Sequence, residues 1–207
     1  MVKTVDEVMD LGPLIPVLVI EDVAHARPIA EALVAGGIRA LEVTLRTPAA
    51  LDAIVEMSKV EGAVVGAGTV VNERQIDEAI AAGARFIVSP GLTERLGAAA
   101  IERRIPLLPG VSDAADIMRG LDLGFDRFKF FPAEASGGIA ALKALAAPFF
   151  QCRFCPTGGI TQESAATWLA IPAVACVGGS WLVPPGRPDP ARILTLACAA
   201  KRLSRSA

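Results

Sequence analysis

Short apolar, β-branched runs alternate with alanine-rich stretches of helical spacing from one end of the chain to the other. The runs fall at 14–20, 40–45, 64–70, 86–90, 106–111, 127–132, 153–159 and 174–182. Between them, segments such as 24–35, 48–58, 73–82 and 162–169 repeat apolar residues at helical intervals and are rich in strong helix formers. Thr47 before Pro48, Asn72 before Glu73 and Ser112 before Asp113 offer capping chemistry at helix starts. Glycines at 36, 37 and 83 stand where a helix needs a residue with left-handed backbone in order to stop.

A strand that alternates with a helix implies parallel pairing, each helix crossing back over the sheet. Eight such units close into a (β/α)8 TIM barrel. The expected architecture is therefore α/β: one barrel domain over residues 1–207, with a short N-terminal helix. A doubly wound open sheet is the alternative. Such sheets usually carry a glycine-rich turn after the first strand, where this chain has Ile20-Glu21-Asp22-Val23.

Composition narrows the class. With 53% hydrophobic and 20% charged residues the chain can bury a large core, and disorder is excluded. A mean hydropathy of +0.50 suggests that some apolar surface is hidden between subunits. No apolar run is long enough to span a bilayer, and Lys3, Asp6, Glu7 and Asp10 interrupt the region where a signal peptide is apolar. A cytoplasmic protein is expected. A net charge of −2 with scattered basic residues gives no electrostatic basis for a nucleic acid or membrane partner. Cys152 and Cys155 form a C-x-x-C, but on a strand residues three apart face opposite ways. There is no second such pair, and His25 is the only histidine, so neither a metal nor a redox cofactor is expected. His25 itself, at a helix start after the first run, is expected to have a surface or core role.

Polar residues inside apolar strands mark the candidate chemistry. In a barrel, alternate strand residues point inward, and a charge there is costly unless it is paired or used. Around Lys129, Phe128 and Phe130 share one face and Lys129 and Phe131 the other, which is read as inward. Desolvation disfavours an ammonium, and a neutral amine can attack a ketone carbonyl to form an imine. The alternative is a lysine held in a structural ion pair. In 41–47, Leu41, Val43 and Leu45 alternate with Glu42, Thr44 and Arg46. Glu42 can move protons and Arg46 can grip a carboxylate with its planar fork, unless the two simply form an internal salt bridge. Glycine clusters at 66–68, 158–159 and 178–179 end three of the runs. The last two fall where barrels often hold phosphate.

These motifs, in this order, resemble one family. Leu41-Glu42-Val43-Thr44-Leu45-Arg46-Thr47, Gly66-Ala67-Gly68-Thr69, Ser89-Pro90-Gly91, Phe128 to Glu134, Phe154 to Gly159 and Gly178 to Leu182 are similar to those of the 2-keto-3-deoxy-6-phosphogluconate and 4-hydroxy-2-oxoglutarate aldolases. The resemblance covers roughly 11–183. It implies a metal-free and cofactor-free lyase of the Entner–Doudoroff route, usually a homotrimer, that splits a phosphorylated keto acid into pyruvate and glyceraldehyde 3-phosphate. It implies Lys129 as the imine-forming lysine and Glu42 as proton shuttle. Arg46 and Thr69 would hold the pyruvyl carboxylate, Phe131 would wall the lysine, and Gly158, Gly159, Gly179 and Ser180 would take the phosphate. Pro90 belongs to one of the matching motifs and is carried over with the substrate-binding residues. Thr157 stands where the galactonate-type relatives carry an aliphatic residue, which favours the gluconate epimer. The segment from Pro184 onward diverges and is expected to bear on assembly rather than chemistry. Two other readings compete: a phosphate-binding epimerase or synthase barrel without imine chemistry, and a catalytically silent binding module. Metal-using epimerases, however, need histidines that this chain lacks.

Overall fold

The computed structural model describes residues 2–184 and 186–203. A short helix, α1 (Val5–Met9), precedes strand β1 (Leu14–Leu18). A single 3-10 turn (Val23–His25) leads into α2 (Ala26–Ala35), and the alternation continues through β2 (Ala40–Thr44), α3 (Ala50–Ser58), β3 (Val64–Gly68), α4 (Glu73–Ala81), β4 (Ile87–Val88) and α5 (Glu94–Glu102). The fifth predicted strand is broken into β5 (Leu107–Leu108) and β6 (Gly110–Val111), because Pro109 between them has no N–H to give a ladder. Then come α6 (Ala114–Asp122), β7 (Arg127–Phe130), α7 (Gly138–Ala146), β8 (Arg153–Phe154), α8 (Ala165–Leu169), β9 (Val177–Gly179) and α9 (Pro190–Lys201).

All strand pairs are parallel. One sheet runs β5-β4-β3-β2-β1-β9 and the other β6-β7-β8. Pro109 joins the two sheets on one side, and the bridges Phe154↔Val174 and Thr157↔Gly178 join them on the other. The result is the closed eight-unit barrel expected from the alternation.

Two apolar layers hold it. Between strands and helices, Leu41, Val43, Phe128, Phe130, Phe154 and Trp168 are fully buried, with the Phe128 and Phe154 rings 6.1 Å apart and tilted. Each such side chain contributes about 1.5–3 kcal/mol on leaving water. Inside the barrel a smaller cluster of Ile15, Ala40, Phe86, Val88 and Leu108 fills the N-terminal half. Val8 and Met9 of α1 belong to this inner cluster, and Asp6 pairs with Arg127 at the start of β7. α1 therefore stops the bottom of the barrel. Gly66 leaves room for the Phe86 ring, which a Cβ there would strike.

Local signals were partly as expected. Asn72 caps α4 by accepting from Gln75 N–H, and Gly83 closes that helix at φ 98°. Thr47 is not a cap: its hydroxyl donates to the Ile20 carbonyl, and α3 starts after Ala49 with no side-chain cap. Asp113 rather than Ser112 caps α6, while Ser112 donates to the Asp116 carboxylate. α8 starts three residues later than its pattern suggests, because Thr161 and Ser164 satisfy each other's backbone N–H groups in a turn.

Candidate active site

Above the apolar plug, the inward positions change character. Glu42 on β2 and Lys129 on β7 point into the barrel from opposite sides, both about 4% exposed, with Lys129 Nζ 3.3 Å from Glu42 Oε1. Glu42 fits because the next strand has no side chain beside it: a Cβ at Gly68 would collide with the carboxylate. The Lys129 ammonium also lies 5.1 Å from the centroid of the Phe131 ring, within reach of its negative face. A buried pair of this kind stabilises a fold little, since desolvation offsets the attraction. Its value lies in what an amine and a carboxylate can do together. The Glu42–Arg46 salt bridge expected as an alternative is not formed, because the partner of Glu42 comes from across the barrel.

Thr44, inward by alternation, is fully buried and donates to the Leu18 carbonyl at 2.9 Å, which ties β2 to β1. Arg46 follows the end of β2 and donates through Nε to Thr69 Oγ1 at 3.1 Å. Thr69 holds a left-handed backbone (φ 60°), which is rare for a branched residue and costs about 1–3 kcal/mol. That strain turns its hydroxyl toward the guanidinium.

A cavity of about 710 Å³ opens at the C-terminal ends of the strands, a size suited to a small metabolite. Of the expected site residues, Arg46, Lys129, Phe131, Thr157, Gly158, Gly159, Gly179 and Ser180 line it. Glu42 and Thr69 reach it through Lys129 and Arg46. Pro90 does not line it: its carbonyl lies against Gly110 of the neighbouring strand. Gly158 and Gly159 hold φ of 101° and 83°, so only glycine suits this turn, and the Thr157 hydroxyl donates back to the Cys155 carbonyl at 3.2 Å.

Several lining residues escaped the reading of the sequence. Val17 is an inward strand position whose apolar character carries no chemical signal. His25, expected on the surface or in the core, stands half-buried at the cavity wall. Gly186, Arg187 and Pro188 line it too, although the segment after Pro184 was expected to matter only for assembly. Their position after the first and last strands is the signal that could have found them, since barrels build sites from such loops. Cys152 packs in the outer layer and Cys155 in the inner one, facing opposite ways as expected, and burial pushes the Cys152 thiol above its ordinary value. Among the described residues no group of three or more His, Cys, Asp or Glu side chains is placed to hold a metal ion. No described helix is long and apolar enough to cross a membrane.

A parallel barrel with a buried lysine and glutamate at the floor of its open end has the architecture of a lyase of the class I aldolase type. The family model for KDPG and KHG aldolases matches residues 5–196, and the chain belongs to that family. It is 60% identical over 205 residues to the 2-dehydro-3-deoxy-phosphogluconate aldolase of Zymomonas mobilis, with 99% of each chain covered. The crystal structure of the Zymomonas mobilis ZM4 aldolase with 3-phosphoglycerate superposes with a TM-score of 0.97 at 60% identity, covering 99% of this chain and 98% of that one. The KDPG aldolase of Legionella pneumophila, solved with pyruvate captured as a covalent carbinolamine, superposes with a TM-score of 0.92 at 46% identity, covering 95% and 97%.

Proposed function

We propose that the protein cleaves 2-dehydro-3-deoxy-6-phosphogluconate to pyruvate and glyceraldehyde 3-phosphate, and 4-hydroxy-2-oxoglutarate to pyruvate and glyoxylate, through an imine on Lys129. The observation that carries this reading is the buried Lys129–Glu42 pair at 3.3 Å on the cavity floor. Within the pair a proton can pass from the ammonium to the carboxylate, leaving a neutral amine. That amine attacks C2 of the keto acid, and the protonated Glu42 then gives its proton to the carbinolamine hydroxyl, which leaves as water, so that a protonated imine forms and Glu42 is again a carboxylate. The imine draws in the C3–C4 bonding electrons as that bond breaks, leaving an enamine on the pyruvyl half. Glu42 takes the proton of the C4 hydroxyl, which becomes the aldehyde, and returns it to C3, after which water releases pyruvate from Lys129.

In this reading Arg46 and Thr69 hold the carboxylate, Phe131 walls the imine, and Gly158, Gly159, Gly179 and Ser180 receive the phosphate. A phosphate-binding barrel without imine chemistry would account for the glycines but leave the buried pair without a task. The homotrimer expected from the family resemblance is the assembled form in this reading, with exposed Phe150 (82%) and Met118 (57%) among the apolar surface a subunit contact could cover, to be checked by sedimentation equilibrium. Four free cysteines, three of them buried, suit the reducing cytoplasm. The deciding experiment is a coupled assay of pyruvate release from the phosphorylated gluconate and galactonate epimers and from 4-hydroxy-2-oxoglutarate. Preference for the gluconate epimer is expected, and no release from any of the three would overturn the reading.

A further inference from the structure

The cavity has a charge pattern that the floor chemistry does not use up. Lys129 is matched by Glu42, and Arg46 is engaged with the neutral Thr69 hydroxyl. At the mouth, Glu21 and Asp22 stand on the wall that follows β1, with Asp22 already accepting from Ala24 N–H at 2.9 Å. On the wall that follows β9 stands Arg187, which has no hydrogen bond or ion pair among the described residues. Its segment is anchored beyond it: Asp189 caps α9 by accepting from the N–H groups of Ala191 and Arg192. The chain therefore passes the mouth beside Ser180 and Gly179 and is fastened immediately afterwards.

A phosphate arriving at the glycine turns would meet two carboxylates at the rim. An unpaired guanidinium on the same rim offsets that repulsion and offers a planar fork that matches phosphate oxygens. We infer that Arg187 is a specificity-determining residue that recognises the phosphate end of the substrate, so that the divergent segment after the last strand sets the preference for phosphorylated over unphosphorylated keto acids. This inference rests on the aldolase reading above and deepens it.

The test is steady-state kinetics of Arg187→Gln and Arg187→Lys on 2-dehydro-3-deoxy-6-phosphogluconate, beside borohydride trapping of pyruvate, which carries no phosphate. Arg187→Gln is expected to raise KM about tenfold with kcat within about twofold, the loss of one charge-assisted hydrogen bond partly open to water. The pyruvate concentration for half-maximal trapping should not move. Arg187→Lys should recover part of the KM, and inorganic phosphate should inhibit the wild type more strongly than Arg187→Gln. An unchanged KM, or equal losses in KM and in pyruvate trapping, would overturn the assignment while leaving the aldolase intact. A wild type that cleaves nothing would instead sink the aldolase reading and this inference with it.

Discussion

Glu42 and Lys129 are 87 positions apart in the chain and 3.3 Å apart in the barrel. The barrel brings them together by setting β2 and β7 on opposite walls, with an inward position of each at the same height. Among the described residues, Lys129 is the one lysine that lines the cavity. Lys3, Lys59, Lys143 and Lys201 are all exposed, outside the barrel interior.

Lys129 should accordingly be the one lysine that pyruvate labels. Borohydride reduction in the presence of pyruvate is expected to add one pyruvyl unit per chain, and peptide mapping should place it on Lys129. Lys129→Ala should lose both label and cleavage, keep the circular dichroism of the barrel, and melt at a lower temperature because Glu42 is left buried without its partner. Label on another lysine would rule out the mechanism.

Gly68 supplies a control that leaves both reacting groups in place. A methyl at this position would strike the Glu42 carboxylate, so Gly68→Ala should swing it away from Lys129. Cleavage should fall about 10²- to 10⁴-fold, the range of a lost proton shuttle, and Glu42→Gln should match it. Both variants should still trap pyruvate. If Gly68→Ala cleaves at the normal rate, Glu42 does not need its observed seat.

Arg46→Lys keeps the charge but loses the planar fork. We expect kcat/KM to drop about 10- to 150-fold, equivalent to roughly 1.5–3 kcal/mol. A variant with normal kcat/KM and a lowered melting temperature would assign Arg46 to stability instead.

Stability should respond to acid through the pairs that tie α4 to α5. Arg103 grips Asp77 with two contacts, at 2.5 and 3.0 Å, and Arg95 binds Glu73 at 2.6 Å. Hydrogen bonds from these arginines hold both carboxyls below their ordinary values. Since the folded pKa is depressed, the contribution is present above the ordinary carboxylate range near 4 and fades as pH falls below it. The melting-temperature gap between wild type and Arg103→Gln should thus be small at pH 7 and vanish near pH 2. A gap that widens in acid would contradict this.

Much of the barrel was legible because period and punctuation are local. All eight apolar runs became barrel strands, and alternation alone placed Phe128 and Phe130 outside and Lys129 inside. Pairing across the barrel was not legible. Alternation shows that Glu42 and Arg46 share a face, but whether Glu42 meets Arg46 or Lys129 depends on where β7 comes to rest. The loop residues were hidden for a different reason. His25 and Arg187 lie in stretches with no apolar period, and only the closed barrel brings the ends of β1 and β9 side by side. The family resemblance supplied roles for residues such as Thr69, whose strained backbone no propensity argument would have suggested.

The helix that stops the bottom of the barrel has a kinetic consequence. With Val8 and Met9 sealing the N-terminal end, the mouth beside Arg187 is the route for traffic in both directions. The half of the substrate bonded to Lys129 sits deepest, and the half severed from it lies between that bond and the mouth. The aldehyde must therefore leave before water can release the pyruvyl group, and in the reverse direction pyruvate must enter first. Product inhibition should show that order, with pyruvate competitive against the substrate and the aldehyde phosphate noncompetitive.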